Sequence, residues 1–334
     1  MQLSNHSAHR CAIAAAMLAG ACMATQATAQ TRLELINEYP ATSITASADL
    51  QFADLVKKAS AGGIVIETRQ EKQNPYKGDA QVAAVIDGKT QMATLFGGVL
   101  GNKDTLFLLS SLPFAARDFK QARTLYECAR PALEQRAQAL GAHLLYVTPW
   151  PPSGIWSVQP LQSEADIKAL KIRTYDATSK SVFERVGAQS VQMPYSALAD
   201  KLAAGEVNAV LTSGDGGAGR NLWNHLPHFT AVSYSIPLSY TIINKKTWDE
   251  LGAGDQAILS EAAKKVSATS WAGVEQRIEA NYARMRENKM TLATQPSDSI
   301  MAALKRAGDE ETQAWLKANP LSDKEAACLS APGA

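Results

Sequence analysis

From Leu33 onward the chain alternates short apolar runs with stretches whose apolar residues fall three and four apart. The runs Leu33–Ile36, Ile64–Thr68 and Met92–Phe96 predict strands, and Ala48–Ala59 and Ala80–Asp87 predict helices between them. Such alternation points to βα units and a largely parallel sheet. A longer helix over Phe119–Leu140 leads through Gly141 to a strand at His143–Val147. The stretch Pro149-Trp150-Pro151-Pro152-Ser153-Gly154 then marks a crossing between domains, because Pro and Gly interrupt both kinds of element.

A second series follows, with strands expected at Ile155–Val158, Ile172–Tyr175, Ser190–Met193 and Val207–Leu211. Its helices, Ser179–Val186 and Ala197–Ala204, each end near a Gly suited to a C-cap. Tyr234–Ile243 reads as one extended segment broken by Pro237, which suits a return crossing. From Asp255 to Lys289 there is no Pro, and Leu259, Ala263, Val266, Trp271, Val274, Ile278, Tyr282 and Met285 fall mostly at three- and four-residue steps. That spacing predicts one amphipathic helix of about 50 Å at 1.5 Å per residue, long enough to span two domains. A coiled-coil surface is the competing reading, although the spacing is not a strict heptad.

Composition agrees with a two-domain globular chain: 334 residues, 46% hydrophobic and 19% charged. With 33 basic and 32 acidic side chains there is no excess to bind a polyanion, so nucleic acid is not an expected partner. The N-terminus changes the picture further. Arg10, an apolar run over Cys11–Ala24 and the small-x-small triplet Ala27-Thr28-Ala29 read as a cleaved secretory signal over residues 1–29. The mature protein is then expected to be exported, not membrane-embedded, and formally neutral, since cleavage takes Arg10 and no acid. Cys128 and Cys328 remain, and in an oxidising compartment they either pair or stay as two thiols.

Candidate chemistry is sparse. Gly214-Asp215-Gly216-Gly217-Ala218-Gly219 satisfies G-x-G-x-x-G after a predicted strand, the outline of a dinucleotide fingerprint. It lies two thirds along the chain, however, and no acid occurs between Asp215 and Asp249 to hold a ribose. A flexible loop bordering a ligand is the better reading. There is no G-x-S-x-G, H-E-x-x-H or Walker loop, and His143, His225 and His228 have no thiol or carboxylate cluster around them. No metal or cofactor is expected, and an enzyme has no support.

Arg173 stands out. It closes Ala165-Asp166-Ile167-Lys168-Ala169-Leu170-Lys171-Ile172-Arg173, where a helical turn feeds a short strand, so its side chain emerges near the rim at which α/β sheets hold ligands. A guanidinium there grips a carboxylate through two parallel hydrogen bonds. The alternative is a surface arginine paired with Asp176 or Glu184.

Four stretches in order, Leu109-Ser110-Ser111-Leu112-Pro113-Phe114, Asp166–Arg173, Gln192-Met193-Pro194-Tyr195 and Ala203–Ala209, resemble the solute-binding proteins of tripartite ATP-independent periplasmic (TRAP) transporters, the DctP type. The resemblance runs from about Glu34 to Ala318. It implies a type II-like periplasmic binding protein with two α/β lobes joined by hinge strands and a long helix. It also implies a periplasmic monomer that delivers a small organic acid to membrane permease subunits. The expected layout is residues 30–151 for the first lobe with a return segment at about 237–255, and 152–236 for the second with contributions from about 290–320; residues 255–289 form the spanning helix.

By the same resemblance Arg173 matches the arginine that holds the ligand carboxylate, and Tyr195 matches a ring that packs on the ligand. Asp176 and Ala177 match positions that often touch it, while Thr212 and Ser213 stand where an amide is usual. Ala169 and Asn208 depart from the family's usual Gly and Asp. Around the one clear cation, Tyr39, Phe96, Trp150, Trp156 and Trp223 are further cleft candidates. One fixed charge among aromatics suggests a monocarboxylate with an apolar, aromatic, hydroxy or keto tail. A periplasmic hydrolase and a sensing subunit are the competing functions.

Overall fold

The computed structural model describes residues 30–330; the expected signal segment, residues 1–29, lies outside them. Eleven strands form: β1 Thr31–Asn37, β2 Ile64–Gln70, β3 Met92–Phe96, β4 Ala142–Pro149, β5 Ser153–Ser157, β6 Lys171–Thr174, β7 Gln189–Gln192, β8 Ala209–Ser213, β9 His228–Thr230, β10 Leu238–Asn244 and β11 Thr291–Ala293. They make two sheets, β2-β1-β3-β10-β4 and β11-β9-β5-β8-β6-β7, and each is the centre of one lobe. Every residue of the interior strands β3, β10, β5 and β8 is buried, whereas edge strand β7 alternates exposed and half-buried residues.

The parallel expectation holds only in part. β1 pairs in parallel with β2 and β3, and β6 with β7 and β8, but β10 runs antiparallel to β3 and β4 and β5 antiparallel to β8 and β9. The cause is the connectivity: the chain leaves the first sheet along β4 and comes back to it along β10. The two crossings are hydrogen-bonded to each other, Trp150 N–H to the Pro237 carbonyl and Ser153 N–H to the Ser235 carbonyl, both at 2.9 Å.

Helices bind the lobes further. The helix Ala253–Glu287 buries Leu259, Ala262, Ala263 and Val266 in the core shared with Leu33 and Phe52 of the first lobe. Its far end carries Met285 into the core of the second lobe. The helix Asp298–Ala318 begins in the second lobe with Ile300, Ala303 and Leu304 and ends with Trp315 in the first-lobe core beside Leu125 and Leu133. Cys128, on the helix Phe119–Ala139, and Cys328, on the helix Asp323–Ser330, form a disulfide that fastens this C-terminal end to the first lobe. Of the two thiol readings the structure has the bridge. Its closed loop is so long that chain entropy alone assigns it about 5 kcal/mol.

Candidate functional site

The two sheets direct the carboxyl ends of β1, β3, β6 and β8 toward the seam between the lobes. A narrow cavity lies there, lined by Tyr39, Phe96, Trp150 and Pro237 from the first-lobe side and Arg173, Tyr175, Tyr195, Thr212, Ser213 and Ser153 from the second. Each arrives by a local rule. Short β6 is held parallel between β7 and β8, which points Arg173 into the seam, and β8 ends in Thr212 and Ser213, the latter N-capping the next turn.

Arg173 is only 3% exposed. Its Nε and Nη2 donate to the Met193 carbonyl at 3.0 and 2.8 Å, which fixes the plane of the guanidinium and leaves three of its five N–H groups for another acceptor. The surface-arginine alternative fails. Asp176 caps the helix Ala177–Val186 through the Ser179 N–H at 2.8 Å, and Glu184 pairs with Lys180. Burial lowers the Arg173 pKa from its ordinary value, while Tyr39, Tyr195 and Glu38 pull it back up.

Aromatic rings wall the cavity. Tyr39 lies 4.7 Å from Trp150 and 4.9 Å from Tyr195, centroid to centroid, and Phe96 meets Tyr175 edge-on at 5.2 Å. Their polar ends are tied back. Trp150 Nε1 donates to Ser239 Oγ at 2.9 Å, the Tyr195 hydroxyl donates to the Gly216 carbonyl, and the Tyr175 hydroxyl lies 2.7 Å from Ser235 Oγ. Burial raises the Tyr175 and Tyr195 phenols well above their ordinary range, so both are neutral donors at physiological pH.

Seven of the sequence candidates thus meet at one cavity: Arg173, Tyr195, Thr212, Ser213, Tyr39, Phe96 and Trp150. Four do not. Trp156 is fully buried behind β8, with Nε1 donating to the Ser213 carbonyl at 3.3 Å and its ring edge-on to Phe229. Asp176 is spent on the helix cap, Ala177 is exposed on the first turn of that helix, and Trp223 lies under the Arg284 guanidinium away from the seam. Asp176 Oδ2 has no hydrogen-bond partner, and burial raises the pKa of that carboxyl.

Sequence reasoning missed Ser153, Tyr175 and Pro237 in the cavity wall, and Glu38 and Arg220 beside it. Glu38 follows β1 and is buried; its carboxylate accepts from the Gly78 N–H at 3.1 Å. Burial raises its pKa, against the pull of that bond and of Arg173, Lys77 and Arg220. Arg220 lies 4.5 Å over the Tyr195 ring and pairs with Glu71 at 3.3 Å. The strand-end rule that singles out Arg173 applies equally to Glu38. Nothing local marks Arg220.

Among the described residues no three His, Cys, Asp or Glu side chains gather as a metal site, and no helix is long and apolar enough to cross a membrane. What the site offers is one fixed cation, a ring of neutral hydroxyls and aromatic walls. Residues 37–318 match the bacterial extracellular solute-binding protein family 7, DctP. The chain is 26% identical to DctP7 of Bordetella pertussis, an extracytoplasmic solute receptor binding pyroglutamic acid, over 90% of this chain and 99% of that one with a TM-score of 0.85. It is 25% identical to a marine metagenome TRAP solute-binding protein specific for pyroglutamate, over 91% and 99% with the same TM-score of 0.85. The galactonate-binding DctPAm of Advenella mimigardefordensis shares the fold, with a TM-score of 0.84 at 18% identity over 91% and 98%. The chain belongs to the family 7 extracellular solute-binding proteins, two-lobed α/β receptors and not enzymes.

Proposed function

We propose that this family 7 receptor captures a small organic acid with a single carboxylate and a compact, ring-bearing tail, and hands it to the membrane permease of a tripartite transporter in the periplasm. One observation carries the reading. Arg173 is a buried guanidinium held in place by a backbone carbonyl, with donors to spare, at the wall of a small aromatic cavity. Arg173 is a buried cation that forms no salt bridge among the described residues, Glu38 acting on it only from beyond salt-bridge distance, and it calls for an anion to complete it. Arg173 takes the carboxylate, the Tyr39 and Tyr195 rings, in contact with each other, form a wall for the tail, and Thr212, Ser153 and Tyr175 supply hydroxyls to a keto, lactam or hydroxyl oxygen.

Two features favour a monocarboxylate over a dicarboxylate. Among the described residues no second cation lines the cavity, and Glu38 places negative charge near Arg173. Pyroglutamate, bound by the relatives at 25–26% identity, is the first acid to try. Both lobes contribute walls, so ligand bridges them and favours the closed form.

The test is a calorimetric and thermal-shift panel of pyroglutamate, a branched 2-oxo acid, succinate, galactonate, NAD and ATP. Ligand at 100 times its dissociation constant raises stability by about 2.7 kcal/mol. Binding of a cyclic or keto monocarboxylate with no response to succinate supports the reading. Tight binding of succinate overturns the single-carboxylate assignment, and a response to NAD or ATP overturns the acid class.

A further inference from the structure

The glycine run after β8, read from sequence as a loop, is a short helix, Gly214–Gly219, wedged between the lobes. Two of its glycines are explained by packing: a Cβ on Gly217 would lie 2.0 Å from the Trp156 ring, and one on Gly216 would lie 2.4 Å from Thr212 Oγ1. That thinness brings Asp215, whose side chain is wholly buried, against the first lobe. Asp215 Oδ2 accepts the Ile44 N–H at 2.9 Å, at the start of the first-lobe helix Ile44–Ala59. Oδ1 accepts from Arg277 Nε and from Asn281 Nδ2, the latter at 3.2 Å, both on the helix Ala253–Glu287. Arg277 in turn donates through Nη2 to the Thr42 carbonyl of the first lobe.

We infer that Asp215 and Arg277 form a closure latch, a contact separate from the cavity that is made when the lobes are together and that sets how tightly every ligand is held. The inference rests on the receptor reading above. Asp215 belongs to the second lobe, and Ile44 and Thr42 to the first, so parting the lobes removes two of these bonds at once. The carboxylate lies against the N–H groups opening a helix, where its charge is favoured. A bond present in the closed form and absent from the open one shifts the equilibrium between them by its full differential energy.

The latch is also connected to the site. Asp215 lies two residues beyond Ser213 in the cavity wall, and the Tyr195 hydroxyl, whose ring lines the same cavity, donates to Gly216. Ligand pressed against Thr212, Ser213 and Tyr195 therefore seats the turn that carries Asp215. The latch touches no ligand, so its loss weakens all ligands by one common factor.

The experiment compares wild type, Asp215→Asn and Arg277→Gln, the second because a buried Asp215 variant risks misfolding and Arg277 is partly exposed. Dissociation constants and off-rates are measured for two acids that wild type binds with different affinity, alongside ligand-free small-angle scattering. The expected result is a loss of about tenfold for both acids, within the usual 5–150-fold range of coupling, carried by faster dissociation. The ratio between the two acids stays unchanged. Affinities within twofold of wild type in both variants, or a loss confined to one acid, overturn the latch. If wild type binds no organic acid the receptor reading fails separately, and scattering still decides the latch: a more open ligand-free variant supports it and an unchanged radius rejects it.

Discussion

Two buried charges, one in each lobe, show how a folded chain separates architecture from function. Asp49 lies in the first-lobe core with no exposed surface, on the helix Ile44–Ala59. It accepts from Asn37 Nδ2 at 2.6 Å, Thr94 Oγ1 at 2.6 Å and the Tyr146 hydroxyl at 2.8 Å. These donors come from β1, β3 and β4, so one carboxylate ties a helix to three strands of the sheet beneath it. Arg173 is nearly as buried but is held from one side only, by Met193, and its remaining donors belong to a residue that lines a cavity. Burying a charge is costly in both places. In the first the protein offsets part of that cost with its own donors; in the second it leaves the offset to a ligand.

The sharpest way to break this contrast is to delete each charge. Arg173→Ala is expected to fold with a ligand-free melting temperature close to wild type, since no ion pair is lost, and to lose roughly two to four decades of affinity, the ~3–5 kcal/mol of a buried pair stripped of one partner. Calorimetry on the cognate acid reads this, and a loss under threefold would sink the clamp assignment. Asp49→Ala has the opposite profile. It orphans three buried donors and is expected to cost about 3 kcal/mol of unfolding free energy in a urea titration, with ligand affinity unchanged in the folded fraction. If Asp49→Ala weakened binding more than stability, the division between the two charges would collapse.

pH sharpens the comparison, because only one of the two charges titrates in an accessible range. Burial raises the Asp49 carboxyl from 3.8 to about 6, outweighing the opposing hydrogen bonds from Thr94, Asn37 and Tyr146. A carboxyl whose folded pKa lies above its unfolded one favours the folded state in its protonated form. Its contribution is complete below about pH 4 and is lost as pH rises through about 6. Between pH 7 and pH 5 this group alone should stabilise the fold by about 1 kcal/mol, and Asp49→Asn should flatten that part of the profile. A wild-type and variant pair with parallel stability curves would show that Asp49 stays ionised. Arg173 contributes no such slope, since a guanidinium remains charged throughout.

How much of this could be read beforehand follows from what each residue depends on. Strand cores such as Met92–Phe96 and the long helix were legible because burial imposes a period on the sequence itself, and the helix found, Ala253–Glu287, differs from Asp255–Lys289 only at its ends. Arg173 was legible because a strand end is a local feature. Gly214–Gly219 was misread as a loop, since glycine is a poor helix former and the packing of Gly217 on Trp156, which requires it, is tertiary. Trp156 was misassigned to the cleft for the converse reason: an aromatic in a strand faces one side of the sheet or the other, and only the register decides which. Glu38, just past the end of β1, falls under the same strand-end rule as Arg173; Arg220 and the Asp215–Arg277 contact depend on how two lobes meet, and the pairing of Cys128 with Cys328 on how two helices meet, so no local pattern carries these.

The smallest expected effect tests the polar side of the cavity, where Thr212 and Ser213 sit side by side but differ as the two charges do. Ser213 Oγ already accepts the Gly216 N–H at 3.1 Å, so its hydroxyl is engaged by the protein. Thr212 lines the same cavity, and among the described residues no protein hydrogen bond takes its hydroxyl. Thr212→Val keeps the β-branch and the volume and removes only that hydroxyl. Losing one neutral hydrogen bond is worth about 1 kcal/mol, so affinity for an acid with a keto, lactam or hydroxyl oxygen is expected to fall about fivefold. An unbranched aliphatic acid, which has no polar tail, should bind the variant as well as wild type or better. Ser213→Ala should instead lower stability by about 1 kcal/mol through the lost helix cap, with a smaller change in selectivity. Titrating both acids against both variants separates the two hydroxyls. If Thr212→Val shifts the affinity for both acids equally, the tail does not reach Thr212 and the polar recognition falls to Ser153 and Tyr175.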